Sequence, residues 1–257
     1  MRPNSAITFI VCCLDNTNEL FDTLKSMSMH LESGDEVLVV DGSSYSHSQN
    51  KQALDSLIGS LCITEVILCP PSGIYNAINE GLKNSHNAWI NVIHAGDIVI
   101  AESLSKIRRS LGDNQADIVI CNQLYGPDIE HSSILDATRH KQIIPHQSTF
   151  YRLSLHIDHG FYDETKRAIS DQLFFRSLIT ESNTIYLPTI YCFFNTNGIS
   201  SNFDWKIFKE EMVMKDSLSA KLFYAIKGVL KLVFTALGPT SMQKARSIKN
   251  FLIGINK

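Results

Sequence analysis

Short apolar runs rich in β-branched residues alternate with amphipathic helical patterns over nearly the first half of the chain. The first run, Ile7–Cys13, is apolar except for one Thr, which predicts a strand buried on both faces. Possible N-cap residues follow it, and apolar residues recur at helical spacing at Leu20, Leu24, Met27 and Leu31, which predicts a helix through about Leu31. This alternation predicts an α/β fold, a mostly parallel sheet flanked by helices.

The same patterns place the remaining elements. Further strands are predicted at Glu36–Val40, Ile63–Leu68, Trp89–Ile93 and Asp117–Cys121, and further helices at 48–59, Ile74–Lys83 and 102–111. After Cys121 the pattern loosens, and residues 122–145 are predicted to be loop or short strands. A helix is predicted at Ser170–Ile179, with short strands at Ile185–Leu187 and Ile190–Phe194 around Pro188. Hydrophobic residues make up 44% of the 257 residues and charged residues 19%, which excludes a disordered chain.

Three carboxylates directly follow predicted strands, at Asp15, Asp41 and Asp97. Ligands of open parallel sheets bind beyond the carboxyl ends of the strands, which makes these three turns the candidate site. Asp41 could accept hydrogen bonds from a nucleotide base or from ribose hydroxyls, and Gly42 would allow a ligand to approach closely. The alternative is an Asx turn at Asp41 that serves only the local backbone.

Asp97 and one further carboxylate, Asp171, each have both a functional and a structural interpretation. Asp97 could hold a divalent cation on a diphosphate, or it could cap a turn before the next helix. Asp171 begins a predicted helix, where it is either a general base or a first-turn acid favoured by the helix dipole. The chain has no GxxxxGK[ST] loop and no GxGxxG segment, so the common phosphate-binding loops are absent from the sequence.

Charge and cysteine content narrow the function classes. The formal charge of -3 excludes a generally basic nucleic-acid binder. The six cysteines form no CxxC pair, which favours buried free thiols over a zinc site. Residues 205–257 carry ten Lys or Arg against three acids, a charge of +7, and their apolar run 222–238 contains Lys227 and Lys231. This tail predicts a basic helix lying on a membrane surface, or one that packs on the body or on a second subunit.

Five segments occur in a characteristic order: Glu36–Ser44, Ser72–Leu82, His94–Asp97, His146–Arg152 and Ser170–Arg176. Together they resemble family 2 glycosyltransferases of the GT-A fold, in particular bacterial enzymes that build O-antigen, capsule or colanic-acid polysaccharide. The resemblance implies an inverting, metal-dependent transferase. It would move a sugar from a nucleoside-diphosphate sugar to a hydroxyl of a glycan acceptor, one that is lipid-linked, in lipopolysaccharide or related synthesis.

The resemblance also implies residue roles. The nucleotide would contact Asp15, Asp41, Gly42 and Ser43, and the sugar-nucleotide site would further include Gly73, Tyr75, Asn76 and Asn79. The divalent metal, Mn²⁺ or Mg²⁺, would bind Asp97. His94 stands where the family often has Asp or Asn, and it is either a second metal ligand or a polar residue at a strand end. Asp171 would deprotonate the acceptor hydroxyl, and His146 and Gln147 would border the acceptor.

The predicted organisation has three parts. Residues 1–97 form the nucleotide-sugar-binding half of a GT-A domain, 98–204 its acceptor-binding and catalytic half, and 205–257 the helical basic tail. The resemblance implies a cytoplasmic protein, peripheral on the inner face of the bacterial plasma membrane, and leaves a homodimer open. Two other functions remain open: a sugar-nucleotide-binding protein without turnover, and a nucleotidyltransferase, although the basic Gly-rich loop of the latter is missing after the first strand.

Overall fold

A single large sheet with helices on both faces organises the chain, which we describe from a computed structural model. The structure describes residues 5–43, 63–112, 116–139, 143–180, 183–196, 204–214, 221, 224–226 and 228. The chain divides into two compact units, one of Met1–Lys166 with Ser170–Asn197 and one of Arg167–Ile169 with Gly198–Lys257. The predicted boundary at residue 97, which would divide the first unit, stays a prediction.

The described strands and helices follow one another largely as the sequence predicts. The strands are β1 (Ile7–Cys13), β2 (Glu36–Asp41), β3 (Glu65–Leu68), β4 (Trp89–His94), β5 (Ile98–Val99), β6 (Ile118–Gly126), β7 (Ser133–Leu135), β8 (Thr149–Arg152) and β9 (Thr184–Asn195). The α-helices are α1 (Thr17–Ser28), α2 (Ile74–Lys83), α3 (Leu104–Gly112), α4 (Ser154–His159), α5 (Ser170–Leu178) and α6 (Trp205–Val213). Short 3₁₀ turns occur at Ala101–Ser103 and His146–Ser148.

The sheet has the order β3-β2-β1-β4-β8-β6-β9-β5, with β7 paired to β6. Strands β3, β2, β1 and β4 are all parallel, so the carboxyl ends of β1, β2 and β4 lie at one edge of the sheet. Beyond β4 the sheet becomes mixed, because β8 runs antiparallel to both β4 and β6 while β9 runs parallel to β6. The predicted α/β architecture is confirmed, and its parallel half carries the three turns singled out above.

Strand β1 is buried on both faces, as predicted. Alternate side chains explain this, because successive residues of a strand point to opposite faces. On one face Phe9 belongs to a core cluster with Leu20 and Leu24 of α1, and on the other Ile10 belongs to a second cluster with Ile78 of α2. Helix α1 ends at Ser28, slightly earlier than predicted.

Helix α2 approaches β1 so closely that only glycine fits at position 81. A Cβ atom there would lie 2.4 Å from the Cγ2 atom of Ile10, far inside the normal contact distance. The bounds of α2, Ile74–Lys83, are those predicted from its apolar stripe. This close contact fixes the last turn of α2 against the middle of β1.

The second half of the sheet differs from the prediction. Strand β6 continues to Gly126, and the two strands predicted around Pro188 are one strand, β9. Leu187 pairs with Cys121 and Ile190 with Asn122, so the irregularity at Pro188 is absorbed without ending the strand. Proline cannot donate a ladder hydrogen bond, which explains why its strand looks interrupted in the sequence.

Several predictions can be followed only in part. Five cysteines are buried free thiols, as predicted, whereas Cys62 and the helix predicted at 48–59 lie outside the described residues. Helix α6 is the described beginning of the predicted basic tail, and the Asp204 side chain caps it by accepting from the backbone N–H groups of Lys206 and Ile207. The apolar run 222–238 and the residues after it lie mostly outside the described part. Within the described residues no helix is long and apolar enough to cross a membrane.

Candidate active site

The turns after β1 and β2 are joined by Ser43. Its backbone N–H donates to Asp41 Oδ1 at 2.9 Å, and its hydroxyl donates to the same oxygen. The Ser43 oxygen in turn accepts from the backbone N–H of Asp15 at 2.8 Å. Asp15 has a φ of +54°, a conformation that non-glycine residues adopt rarely and mostly as Asn or Asp. Asp15, Asp41 and Ser43 are therefore brought together, with Gly42 between the last two.

Asp41 forms the Asx turn with one oxygen of its carboxylate. Its carboxylate is buried, and the turn uses only Oδ1. Among the described residues no hydrogen bond reaches Oδ2. The structural interpretation of Asp41 is thus correct for one oxygen, and the second oxygen remains able to accept from a base or a ribose hydroxyl.

Asp97 links the end of β4 to the end of β9. Its Oδ2 accepts from the backbone N–H of His94 at 3.1 Å, and its Oδ1 accepts from the backbone N–H of Asn195 at 3.1 Å. Only 2% of the residue is exposed, and burial raises the pKa of this carboxyl to about 7, against the opposing effect of the two backbone donors. The hydroxyl of Thr23 donates to its backbone oxygen at 2.8 Å, which fixes the turn to α1.

These contacts do not fit the predicted metal site at Asp97 and His94. Both oxygens of Asp97 point at backbone N–H groups, and a site that favours the protonated acid disfavours the anion that a hard dication requires. His94 could offer only one neutral imidazole nitrogen: its Nε2 atom is buried with no hydrogen-bond partner among the described residues, and burial lowers its pKa to about 4. In the part of the chain that the structure describes, no three His, Cys, Asp or Glu side chains are grouped to hold an ion.

Helix α2 contributes Tyr75, Asn76 and Asn79, which the structure places in two environments. The Asn79 side chain pairs with the backbone of Tyr162, donating to its carbonyl at 2.9 Å and accepting from its N–H at 3.1 Å. The amide nitrogens of Asn76 and Asn79 also donate to the two carboxylate oxygens of Glu164, at 3.0 and 2.9 Å. Both asparagines therefore hold the 162–164 loop against α2. Their predicted contact with a sugar nucleotide remains untested. Gly73 is the N-cap residue of the helix.

Tyr75 contacts the segment that contains Asp171. Its hydroxyl donates a 2.6 Å hydrogen bond to Oδ1 of Asp171, in the first turn of α5. The second oxygen, Oδ2, lies 3.3 Å from the Gln172 amide nitrogen and 3.8 Å from Nδ1 of His146. Asp171 is 8% exposed, so its carboxylate stands at the rim of a buried polar cluster. Three separate segments of the chain thus converge on one carboxylate.

The 3₁₀ turn that carries His146 and Gln147 is held by a buried asparagine on β4. The Asn91 amide donates to the carbonyls of Gln147 and Thr149, both at 3.1 Å, and accepts from the Tyr191 hydroxyl at 2.9 Å. Gln172 holds the segment just before this 3₁₀ turn, because its side-chain amide pairs with the backbone of Ile144. These bonds fix the position of His146 beside Asp171.

Sequence reasoning missed four residues of this site. Tyr162 and Glu164 lie in a segment whose sequence carries no motif, so nothing identified them. Asn91 had a visible signal, because it is the one polar residue in the apolar run Trp89–Ile93. Gln172 lay within a recognised motif but was assigned no role.

An open cavity of about 550 Å³ lies apart from the Asp171 cluster. It adjoins the first turns of α1 and the Gly96 turn, and its charged lining residues are Glu19, Asp22, Asp128 and Glu130. Four carboxylates repel an anionic diphosphate, so this cavity is unsuited to binding the diphosphate of a nucleotide.

Comparison with known proteins identifies similar sequences. The sequence model described as Glycosyl transferase family 2 matches residues 8–174. The "Uncharacterized glycosyltransferase Rv1514c" of Mycobacterium tuberculosis (strain ATCC 25618 / H37Rv) is 24% identical over 142 residues, which cover 52% of this chain and 54% of that protein. A protein of strain CDC 1551 / Oshkosh, "Uncharacterized glycosyltransferase MT1564", matches equally. The chain thus spans about half the length of the curated relatives it matches.

Solved structures share the fold at low sequence identity. S. aureus TarS in complex with UDP-GlcNAc superposes with a TM-score of 0.64 at 15% identity, covering 81% of this chain and 65% of that one. The mannosyltransferase PcManGT from Pyrobaculum calidifontis, in complex with GDP-Man and Mn²⁺, gives a TM-score of 0.61 at 13% identity, covering 98% and 81%. These likenesses support the predicted GT-A fold.

Proposed function

The chain belongs to glycosyl transferase family 2, and on that basis we propose that it transfers a sugar from a nucleoside-diphosphate sugar to a hydroxyl of an acceptor. The observation that carries the proposal is the convergence on Asp171 of Tyr75, Gln172 and His146. A carboxylate fixed by two hydrogen bonds, at the rim of a buried cluster, has the placement that a general base needs.

In the proposed reaction Asp171 acts as the base. It takes the proton of the acceptor hydroxyl while that oxygen attacks the anomeric carbon from the side opposite the leaving group. The bond from the anomeric carbon to the phosphate oxygen breaks, and the nucleoside diphosphate leaves with the electron pair. Attack from the opposite side inverts the anomeric configuration. His146 and Gln147 border the acceptor in this scheme.

The nucleoside end of the donor is proposed to bind at the joined turns after β1 and β2. Asp41 has a carboxylate oxygen able to accept, and Ser43 holds the two turns together. A buried carboxylate acceptor suits a base N–H or a ribose hydroxyl, whereas it repels a phosphate. We therefore place the nucleoside, not the diphosphate, at Asp41. The structures that share this fold bind UDP-GlcNAc and GDP-Man respectively, so either base is open for this chain.

The test of donor binding is a thermal-shift panel of UDP, GDP, TDP and CMP, each with and without Mn²⁺. A ligand at about 100 times its dissociation constant adds roughly 2.7 kcal/mol of stability. A shift with one nucleoside diphosphate supports the proposal, and its loss in Asp41→Asn places the ligand at Asp41. No shift with any nucleotide contradicts the proposal. A shift that requires Mn²⁺ and is lost in Asp97→Asn would contradict the conclusion that Asp97 does not hold a metal.

The proposal also includes a class of acceptor and a location in the cell. The resemblance to enzymes of O-antigen and capsule synthesis favours a lipid-linked glycan acceptor at the inner face of the plasma membrane. The charge of +7 on residues 205–257 supports this, because anionic headgroups attract a polybasic segment by about 1 kcal/mol per Lys or Arg. Sedimentation of the full chain with vesicles, with and without phosphatidylglycerol, tests it. Equal sedimentation with and without phosphatidylglycerol would contradict the membrane part of the proposal.

A further inference from the structure

The two ring nitrogens of His146 face different groups, one a tyrosine hydroxyl and the other a carboxylate. Nε2 lies 3.1 Å from the hydroxyl oxygen of Tyr162, and Nδ1 lies 3.8 Å from Oδ2 of Asp171. The ring is buried, with Tyr162 and Phe175 packed edge-on against it. A neutral imidazole carries one proton, so these two contacts cannot be equivalent.

The direction of the neighbouring hydrogen bond decides which nitrogen carries that proton. The Tyr162 hydroxyl donates to the hydroxyl oxygen of Tyr151 at 3.3 Å. A phenol has a single proton, so when Tyr162 gives that proton to Tyr151 its oxygen accepts from His146. In this arrangement Nε2 of His146 carries the hydrogen, and the lone pair of Nδ1 faces the carboxylate of Asp171.

The contact with Asp171 has the length expected from this arrangement. An N–H group facing an ionised carboxylate forms a short bond of about 2.7–2.9 Å. The observed 3.8 Å between Nδ1 and Oδ2 is much longer, although the carboxylate side chain is 11% exposed and the imidazole 6%. Two facing lone pairs account for the separation, since neither can donate to the other.

We propose that His146 is a positioning residue for the base, held by Tyr162 in the Nε2–H form so that Oδ2 of Asp171 is the oxygen that takes the acceptor proton. This inference rests on the proposed function. Tyr75 donates to Oδ1 at 2.6 Å and stabilises the anion there; Gln172 donates to Oδ2 only at 3.3 Å, and the Nδ1 lone pair disfavours negative charge at Oδ2. Once Oδ2 is protonated, its new O–H group can donate to Nδ1.

The step is balanced by groups already described. The acceptor O–H bond breaks, its proton forms a bond with Oδ2, and the acceptor oxygen forms the new glycosidic bond. The nucleoside diphosphate leaves with the electron pair of the broken bond. His146 gains only a hydrogen bond. It therefore stabilises the protonated base more than the ionised one, which is the differential interaction that favours proton uptake.

Other groups around His146 are consistent with a neutral imidazole. The titratable groups near it are Asp171, Tyr162, Tyr151, His94 and His156. Burial lowers the pKa of His146, against the opposing effect of Asp171, and burial lowers the pKa of His94 to about 4. Burial raises the pKa of Tyr162 well above its ordinary value. At neutral pH the cluster therefore holds neutral imidazoles and neutral phenols.

Long-range ¹H–¹⁵N correlation spectra of the ¹⁵N-histidine-labelled full chain test the assignment without any substrate. The pattern for each ring distinguishes Nε2–H, Nδ1–H and imidazolium. His156 serves as an internal reference, because its Nδ1 lies 3.0 Å from the Gly160 carbonyl, which can only accept and so requires Nδ1–H. We expect opposite forms for the two rings. An Nδ1–H or imidazolium signal for His146 at neutral pH would overturn the proposal.

Two variants test the role of the tyrosines. In Tyr162→Phe, Nε2–H loses its acceptor, so His146 should become a mixture of the two neutral forms while His156 stays unchanged. In Tyr151→Phe, the Tyr162 hydroxyl becomes free to donate to Nε2, which should shift His146 toward Nδ1–H. Tyr125→Phe, at a residue 42% exposed on β6, is the matched control. An unchanged His146 pattern in both test variants would contradict the fixing of its proton by Tyr162.

The catalytic part is tested by the pH dependence of UDP release from UDP-GlcNAc and of GDP release from GDP-mannose. In Tyr162→Phe, Nδ1–H can donate to the Asp171 anion and weaken the base. We expect kcat to fall about tenfold with KM unchanged, and the acid limb of the profile to move to lower pH; removing the base costs more, about 10²- to 10⁴-fold. A wild-type profile in this variant would overturn the role of His146. Wild-type chain without turnover would instead overturn the proposed function, whatever form His146 adopts.

Discussion

The hydroxyl of Tyr75 donates a 2.6 Å hydrogen bond to the carboxylate of Asp171, a residue 96 positions further along the chain. The first turn of α2 and the first turn of α5 therefore meet at one buried contact. Two segments that were recognised separately in the sequence are physically one site.

Replacing Tyr75 with Phe should destabilise the protein. The change leaves Oδ1 of a largely buried carboxylate without its donor, which costs about 1–3 kcal/mol. We expect the midpoint of urea unfolding to fall accordingly, with a smaller effect for the exposed Tyr125→Phe. Equal midpoints for the two variants would show that the hydrogen bond contributes no net stability.

Asp171→Asn should abolish turnover while nucleotide binding is kept. An amide cannot take the acceptor proton, so we expect about a 10²- to 10⁴-fold loss of kcat. Thermal shifts with the bound nucleotide should match those of the native chain, because Asp171 makes none of the proposed nucleoside contacts at Asp41. Full turnover in this variant would assign the base elsewhere. A native chain that binds nucleotide yet never turns over would favour the binding-only alternative.

Asp97 should make stability fall as the pH rises from about 4 to about 7. Its pKa in the folded state is raised to about 7 by burial, so over this range the folded chain keeps a proton that the unfolded chain releases. Buried His94 and His156, whose pKa values are lowered to about 4, act in the opposite sense over the same range. The contribution of Asp97 is therefore the difference in unfolding free energy between wild type and Asp97→Asn across pH 4–7. A difference that does not change with pH would contradict the raised pKa.

Two glycine substitutions should behave differently. At Gly42 a Cβ atom would make ordinary contacts of 3.7 Å with Cys69 and Leu14, so Gly42→Ala should change stability by less than about 0.5 kcal/mol. At Gly81 it would meet Ile10 at 2.4 Å, and overpacking of this kind costs about 1–3 kcal/mol. Thermal melts measure both. Loss of nucleotide binding in a stable Gly42→Ala chain would indicate that the ligand passes close to this backbone.

Asn79→Ala should loosen the 162–164 loop. Removal of the side chain leaves the Tyr162 N–H and carbonyl without their partner, and we expect a loss of about 1–3 kcal/mol. Hydrogen exchange of the Tyr162 amide should become faster by the factor that corresponds to this loss of free energy. The control is Asn76→Ala, which removes only a contact to the exposed oxygen of Glu164. Unchanged exchange at Tyr162 in Asn79→Ala would argue against this function of the side chain.

The parallel half of the fold could be predicted because each of its elements has its own local pattern. The buried run at β1 and the apolar stripe of α2 are visible without knowledge of their neighbours. Strand β9 could not be bounded in the same way. Its continuity past Pro188 depends on pairing with β6, which begins 66 residues earlier in the chain. A pairing over that separation leaves no local signature in the sequence of β9.

The site shows the same distinction. The sequence identified Asp41, Tyr75 and Asp171 from the motifs that contain them, but it could not identify their partners. Asp97 shows the limit most clearly, because a carboxylate after a strand and a glycine looks the same whether it holds a cation or two backbone N–H groups. Only the position of Asn195 distinguishes the two cases.

The bond from Asn195 to Asp97 also has a consequence for the order of events during synthesis. Asp97 leaves the ribosome about 5–20 s before Asn195 at the usual rate of about 5–20 residues per second. Among the described strands, β5 pairs with β9 alone, through Ile98 and Phe193. Until β9 is made, a nascent chain holds a carboxylate without one of its two donors and a strand without its partner. The turn after β4 therefore reaches its final form late in translation, when nearly all of the first compact unit has been made.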